Sequence, residues 1–217
     1  MPVTVTEKNL SSRSRSVQSE FRKRQLINAT IDCIDTLGLS QTTIARIADR
    51  AGVSQGIVVF HFQRKENLLE EALRELSREY VECWKNALDG ARADPVSQLC
   101  ALVEASFAPA ICNRKKISVW YAFWGESRSR PMYNKLCGNN DFDYSTTLLS
   151  LCESIEACSA AALKAQTAAL SIEGMIDGLW QKFLVGPTGF KRQQAIASVL
   201  DLIKIIYPGE RQNICSN

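Results

Sequence analysis

The 217-residue sequence contains a single histidine, His61, and its eight cysteines form no C-x-x-C pair. Structural zinc sites use several closely spaced Cys and His ligands, so we expect no bound metal. A phosphate-binding loop and a Ser/His/Asp pattern are also missing, which argues against an enzyme. We therefore expect no catalytic residue and no cofactor.

Long apolar runs are missing as well. No stretch reaches the roughly 18 apolar residues that a membrane-spanning helix needs, and the N-terminus has no apolar segment typical of a signal peptide. The sequence therefore favours a cytoplasmic protein with no membrane contact. In a reducing compartment most cysteines act as small buried apolar residues, and we expect Cys137 and Cys215 to be the more exposed ones.

Positive charge is present mainly near the N-terminus. Residues 1–70 carry ten Lys/Arg against seven Asp/Glu, whereas residues 71–217 carry sixteen of each. Within residues 8–24 there are six basic residues and one acidic residue. A basic, serine-rich segment is typical of an arm that binds a polyanion, but also of a solvated disordered tail. Charge alone supports the two interpretations equally.

The apolar spacing predicts helices throughout. A helix begins near Val17 and ends at Gly38, a second lies between Thr43 and Gly52, and a third follows Ser54. Two short helices joined by a tight glycine-containing turn indicate a helix-turn-helix. We predict an all-α fold of about nine helices, with an interruption at residues 138–141. The expected parts are a flexible basic arm (1–16), a three-helix DNA-binding domain (17–64), a larger helical ligand-binding and dimerisation domain (65–208) and a tail (209–217).

Residues 43–69, TIARIADRAGVSQGIVVFHFQRKENLL, closely resemble the DNA-binding module of the TetR family of repressors. The segments WYAFW (120–124), RPMY (130–133) and IDGLW (176–180) resemble the choline-responsive BetI subgroup of that family. The resemblance implies a TetR-like fold and a repressor that binds a palindromic operator in double-stranded DNA as a homodimer. It also implies that a small-molecule effector releases the repressor from DNA.

The helix-turn-helix offers several kinds of DNA contact. Gly56 allows close backbone approach, and the amide of Gln55 suits a bidentate contact with adenine, although Gln55 is equally suited to a solvated surface. Val59 stands where the family commonly has a polar residue, and it is suited to a thymine methyl group. We expect Phe60 and Phe62 to pack beneath the module. The expected DNA contacts are Arg13, Arg15, Arg22, Arg24, Thr42, Thr43, Ser54, Gln55, Gly56, Val59, His61 and Lys65.

Aromatic residues at helical spacing predict a ligand pocket in the larger domain. Trp120 and Trp124 share one helical face, and Asp177 lies three residues before Trp180. Aromatic rings attract a quaternary ammonium ion, and a carboxylate supplies its counter-charge. The same spacing is also typical of an ordinary apolar core. The expected ligand-binding residues are Phe107, Trp120, Tyr121, Phe123, Trp124, Glu173, Asp177 and Trp180.

The last two helices carry more apolar residues than one protomer needs to bury. Two such helices from each of two copies predict a four-helix bundle at a dimer interface. Alternatives to a choline-type repressor are a multidrug or acyl-ligand sensor on the same scaffold, a DNA-binding architectural protein, an activator and a helical enzyme. The expected interface residues are Leu170, Met175, Leu179, Phe183, Ile196, Val199, Leu200 and Ile203.

Overall fold

The computed structural model describes residues 5–126 and 131–214, with side chains from Ser16 onward except at positions 126, 132 and 187. In these ranges the chain forms nine α-helices and no strand, which confirms the all-α prediction. No helix among the described residues combines the length and the apolar character needed to cross a membrane. The helices are α1 (Val5–Leu37), α2 (Ile44–Ala51), α3 (Gln55–Phe62), α4 (Lys65–Gly90), α5 (Pro95–Ser106), α6 (Arg114–Glu126), α7 (Pro131–Cys158), α8 (Ala165–Val185) and α9 (Arg192–Ile206).

The chain divides into two compact units, Met1–Leu73 and Arg74–Asn217. The first unit contains α1, α2, α3 and the beginning of α4. Leu68 of α4 is fully buried in the core of this unit, so the unit extends past residue 64, where the sequence predicts the boundary. The other core residues are Leu26, Ala29, Cys33, Ile47, Ala48, Ala51, Val58 and Phe62.

Helix α1 begins at Val5, earlier than the expected start near Val17. Residues 5–16 contain neither proline nor glycine, so nothing in their sequence stops a helix from continuing. The structure therefore places residues 5–16, which the sequence assigns to a flexible arm, in α1. The side chains of Arg13 and Arg15 lie outside the described residues.

Local hydrogen bonds define both ends of α2. The Thr43 hydroxyl accepts a hydrogen bond from the Arg46 backbone N–H at 3.3 Å and caps the N-terminus. Gly52 ends the helix at φ 65°, a left-handed conformation that glycine adopts without steric cost. Ser54 occupies the N-cap position of α3, but its side chain makes no capping hydrogen bond.

Helix α7 is continuous, so the predicted interruption at residues 138–141 is wrong. A single glycine in a helix costs only about 1 kcal/mol. Buried residues on either side of Gly138, namely Tyr133, Cys137 and Tyr144, favour the continuous helix through tertiary packing. Cys137 is fully buried, which contradicts its expected exposure. The Asn140 side chain donates a hydrogen bond to Ser77 Oγ of α4 at 2.7 Å.

Helix α9 packs against α5 and α8. Val199, Leu200 and Ile203 are buried in this packing within one protomer. Their assignment to a dimer interface is therefore wrong, because a side chain already covered by its own chain has no surface for a partner. Leu170 of α8 and Ile205 of α9 are exposed instead, with 62% and 64% of their surface accessible.

Candidate functional site

Helix α3 has one buried side and one exposed side. Val58 and Phe62, one turn apart, are buried in the core of the first unit, whereas Val59 and Phe60 are exposed. Phe60 lies two residues from each buried residue, which places it on the opposite side of a helix with 3.6 residues per turn. The prediction that Phe60 packs beneath the module is therefore wrong, and the prediction for Phe62 is confirmed.

The other expected DNA contacts differ in accessibility. Ser54, Gln55, Gly56, Thr43 and Arg24 are exposed, and Arg22, His61 and Lys65 are partly buried. Thr42 is fully buried, and its hydroxyl donates a hydrogen bond to the Gly38 carbonyl oxygen at 2.9 Å. A buried hydroxyl that is already bonded cannot reach a phosphate, so the Thr42 prediction is wrong.

The second unit contains a cavity of about 310 Å³. Side chains of α4, α6, α7 and α8 line it, and five of the expected ligand-binding residues are among them. The described lining residues are Tyr80, Trp120, Trp124, Tyr133, Asp141, Tyr144, Glu173, Ile176, Asp177 and Trp180.

Three of the expected ligand-binding residues do not line the cavity. Phe107 and Phe123 are buried in the core, and Tyr121 lies beside the cavity, where its hydroxyl donates a hydrogen bond to the Asp177 carbonyl oxygen at 3.0 Å. All three predictions are wrong as cavity contacts. Helical spacing places Tyr121 and Phe123 on α6, which lines the cavity, but does not determine which side chains of that helix face the cavity. Phe107 follows α5, which contributes no lining residue among those described.

Five lining residues are not among the expected ligand-binding residues, namely Tyr80, Tyr133, Asp141, Tyr144 and Ile176. Tyr80 belongs to the apolar face of α4, and Tyr133 belongs to the RPMY segment, so both carry a sequence signal. Asp141 and Tyr144 follow the glycine and asparagines at 138–140, where an interruption was expected. The continuous α7 places them on the same helix as Tyr133.

Aromatic rings from four helices line the cavity. The rings of Trp124 and Trp180 are stacked, with centroids 6.4 Å apart and an interplanar angle of 12°. Tyr80 meets the Trp180 ring edge-on at 6.1 Å and the Trp120 ring at 6.3 Å. These offset and edge-on arrangements are the favourable ones for aromatic pairs.

The indole N–H groups of the stacked pair bind neutral oxygens. Trp180 Nε1 donates to the Ser106 carbonyl oxygen at 2.9 Å, and Trp124 Nε1 donates to the Tyr133 hydroxyl. The Tyr133 hydroxyl in turn donates to Asp141 Oδ2 at 3.0 Å. Neither indole N–H therefore binds the Asp177 carboxylate.

Three carboxylates face the same cavity. Asp141 accepts the bond from Tyr133, and Glu173 Oε1 accepts one from Ser145 Oγ at 2.7 Å. No described residue donates a side-chain hydrogen bond to the Asp177 carboxylate, although the side chain remains accessible to solvent. None of the described lining residues is Lys, Arg or His.

The pKa of Asp177 is raised to about 6, mainly because the carboxylate is partly buried and also because the negative charges of Glu173 and Asp141 lie nearby. Burial also raises the pKa of Asp141, and Glu173 contributes to that shift. Mutual repulsion and loss of water both disfavour the ionised carboxylates. A cation in the cavity would relieve this unfavourable electrostatic environment.

Two family models match the chain. The description "Bacterial regulatory proteins, tetR family" covers residues 26–72, which contain the helix-turn-helix, and "BetI-type transcriptional repressor, C-terminal" covers residues 95–207, which contain most of the cavity. The fold and the exposed α3 define a helix-turn-helix regulator. The chain belongs to the TetR family, and within it to the BetI-type transcriptional repressors.

Relatives named BetI agree with this assignment. The regulator BetI 1 of Chromohalobacter salexigens is 35% identical over 185 residues, which are 85% of this chain and 89% of the relative. BetI of Yersinia pestis is 35% identical over 186 residues, covering 85% of this chain and 91% of the relative. Both are named as transcriptional regulators, so the comparisons support a DNA-binding repressor and not the enzyme alternative.

Solved structures share the fold. A transcriptional regulator from Pseudomonas aeruginosa aligns with a TM-score of 0.74 at 25% identity, over 90% of this chain and 95% of that one. A regulator from Saccharomonospora viridis, solved in complex with choline, aligns with a TM-score of 0.73 at 24% identity, over 84% of this chain and 95% of that one.

Proposed function

We propose that the effector of this repressor is a small quaternary ammonium compound of the choline type, bound in the cavity of the second unit. The observation that carries the proposal is the Asp177 carboxylate, which has no hydrogen-bond donor or cation among the described residues and lies beside the Trp124 and Trp180 rings. The choline complex of the structurally similar Saccharomonospora viridis regulator supports the same class of ligand.

The chemistry of the cavity suits this ligand. A quaternary ammonium ion has no N–H to donate, so it is held by diffuse attraction to ring faces and by a nearby negative charge. Trp120, Trp124, Trp180 and Tyr80 supply rings, and Asp177 supplies the charge. A cation bound beside the Asp177 carboxylate supplies the opposite charge that none of the described lining residues provides, so ligand binding removes an electrostatic cost.

We also propose that two copies associate through the exposed sides of α8 and α9 and bind a palindromic operator. Twofold symmetry then presents two α3 helices about 34–36 Å apart, one helical turn of DNA. Leu170, Met175, Leu179, Phe183 and Ile196 remain the interface candidates from the sequence, because each is at least partly accessible. Ile205 joins them because of its exposure.

The DNA contacts of each copy remain proposals at residue level. Gln55, Gly56 and Val59 face outward from α3 and suit base edges, and Ser54 and Thr43 lie at helix N-termini, where free N–H groups favour phosphate. The accessible cations and the histidine suit the DNA backbone. These backbone candidates are Arg22, Arg24, His61 and Lys65, with Arg13 and Arg15 proposed from the sequence alone.

Helix α4 is the element that would transmit the effector signal. It carries Lys65 at its first position and Tyr80 in the cavity wall. An effector that moves Tyr80 would shift this helix and change the spacing of the two α3 helices in the dimer. DNA release then follows from a mismatch with the operator spacing.

The test of the ligand proposal is a tryptophan fluorescence titration of the purified protein with choline. The control ligand is 3,3-dimethyl-1-butanol, which has the same shape without the charge, and glycine betaine tests a trimethylammonium group that also carries a carboxylate. We expect a saturable change with choline alone. The Asp177→Asn variant should bind choline at least about tenfold more weakly. Glu104→Gln, which changes an exposed carboxylate on α5 outside the cavity, is the control and should bind normally.

An equal response to choline and to its uncharged analogue would contradict the proposal and favour a multidrug or acyl-ligand sensor on the same scaffold. A normal choline response in the Asp177→Asn variant would contradict the role of that carboxylate, even if choline itself binds.

A further inference from the structure

We propose that Phe60 and Val59 form an apolar patch on α3 that recognises the methyl groups of thymines in the operator. The proposal rests on the DNA-binding role of α3 and adds a specificity determinant to it. Phe60 is not among the DNA contacts expected from the sequence. Its assignment comes from its position in the structure.

The exposure of the α3 apolar patch is unusual for side chains of this kind. Phe60 leaves 81% of its surface accessible, and Val59 leaves 45% accessible. Neither belongs to the core of the first unit, which uses Val58 and Phe62 of the same helix. The patch is therefore not required for packing within the described unit, and its apolar surface is available to a partner.

The surroundings of the patch identify the partner as a base edge. Gln55 lies one turn before Val59, and Gly56 lies one turn before Phe60, so all four share the outward side of α3. Gly56 has no side chain, which leaves space for DNA to approach the Phe60 ring. No Lys or Arg lies among residues 54–63, so the outward side chains of α3 bring no permanent positive charge to a phosphate.

The chemistry of the major groove fits an apolar reader. Thymine presents a C5-methyl group in the major groove. The remaining base-edge atoms there are mostly hydrogen-bond donors and acceptors, which the phenyl group of Phe60 and the isopropyl group of Val59 cannot bind. Burial of a methyl group against an aromatic ring removes apolar surface from water on both sides. The His61 ring contacts the Phe60 ring edge-on at 5.1 Å and restricts its orientation.

The salt dependence of DNA binding distinguishes a contact made by the α3 apolar patch from a contact with phosphate. Replacement of a phosphate-binding residue reduces the salt dependence of binding, whereas removal of an apolar base contact leaves that dependence unchanged. The Phe60→Ala variant should therefore lose affinity and thymine preference together, with the same slope of log affinity against log salt concentration.

The experiment begins with duplexes that the wild-type protein enriches from a random-sequence DNA library. Each thymine in an enriched duplex is then replaced by uracil, which removes only the methyl group. We expect uracil at one or two positions of each half-site to weaken binding about fourfold, the effect of one methyl-sized group. The Phe60→Ala variant should lose the effect of uracil at the position that the phenyl ring contacts.

Two controls make the result specific. Phe60 is exposed, so Phe60→Ala should retain the melting temperature of the wild type. Phe142→Ala removes another exposed phenylalanine, on α7 of the second unit, and should retain both the affinity and the uracil effect.

Tight binding of enriched duplexes with no loss at any uracil position would overturn the inference and leave the DNA-binding role intact. Retention of the full uracil effect in Phe60→Ala would assign the methyl contact to another residue and also overturn it. Failure to enrich any duplex would overturn the proposed DNA contacts of α3 and this inference with them.

Discussion

At the scale of single residues, Asp177 connects the electrostatics of the cavity with ligand binding. Its pKa of about 6 means that it loses its charge just below neutral pH. Since the ionised form supplies the counter-charge, choline affinity should be constant above about pH 7 and fall as the pH decreases through 6. Glu173 and Asp141 face the same cavity and retain part of the attraction.

This prediction is checked by choline titrations between about pH 5 and pH 8. The wild-type dissociation constant should rise by about fivefold between about pH 6 and pH 5. The Asp177→Asn variant should bind weakly with a much flatter profile. An identical pH profile in the two proteins would show that another group controls the pH dependence.

Ionised Asp177 should lower the free energy of unfolding when no ligand is bound. Its pKa is raised in the folded protein, so the folded state holds the proton more tightly than the unfolded chain does. The ionised carboxylate therefore destabilises the fold above about pH 6, and this cost disappears as the pH falls towards 4. We expect Asp177→Asn to raise the free energy of unfolding at pH 8 by on the order of 1 kcal/mol, discounted for the solvent access of the side chain.

Thermal melts at pH 8 and pH 4 measure this effect. The gain in the asparagine variant should be present at pH 8 and small at pH 4, and saturating choline should stabilise the wild type much more than the variant. A variant that is less stable than the wild type at pH 8 would contradict the electrostatic account of the cavity.

At the scale of elements, two glycines of the helix-turn-helix should respond oppositely to alanine. Gly52 has φ 65°, so Gly52→Ala forces a left-handed alanine and should lower the free energy of unfolding by about 1 kcal/mol. Gly56 is helical, and an added Cβ would meet only Ser54 Oγ at 3.7 Å, an ordinary contact. Gly56→Ala should therefore retain or slightly raise stability, yet weaken DNA binding because the new methyl group projects from the outward side of α3.

Denaturant melts and DNA titrations of both variants check this pair. Lower stability for Gly56→Ala, or normal DNA binding by it, would contradict the orientation of α3.

A comparison of α2 and α7 shows which helix limits the sequence alone predicts. Thr43 and Gly52 fix α2 through local capping, so its limits follow from the sequence. Gly138 and its asparagine neighbours are typical of a turn, but the helix there is stabilised by burial of Tyr133 and Tyr144, which depends on α4, α6 and α8. A local pattern contains no information on that tertiary packing.

Part of the pocket was also predictable from the sequence. Trp120 with Trp124, and Asp177 with Trp180, lie close in sequence, and helical spacing places each pair near one surface. Tyr80 and Tyr144 come from other helices, and only the packing of α4 and α7 brings them to the same cavity. Phe107 and Phe123 are aromatic like most of the lining residues, but they pack in the core and do not reach the cavity.

At the scale of the whole molecule, the proposed dimer predicts a specific sensitivity. Leu170→Glu places a charge on the exposed side of α8, and twofold symmetry brings two such charges to the interface, where desolvation is costly. We expect the variant to be folded but monomeric at micromolar concentration, with a loss of operator affinity of at least about a hundredfold.

Sedimentation equilibrium and circular dichroism check this prediction. Phe142→Glu is the matched control, because it changes an equally exposed apolar residue outside α8 and α9 and should remain dimeric. A dimeric Leu170→Glu protein would place the interface elsewhere.

The central claim is that a cation in the cavity controls DNA binding. Its most direct test is the fluorescence anisotropy of a labelled, library-enriched duplex bound to the full-length protein while choline is added. The account predicts saturable release by choline and none by 3,3-dimethyl-1-butanol, whereas the Asp177→Asn complex should bind DNA normally and resist release at the same choline concentrations. A wild-type complex that stays intact at saturating choline, or an Asp177→Asn complex that dissociates like the wild type, would contradict it.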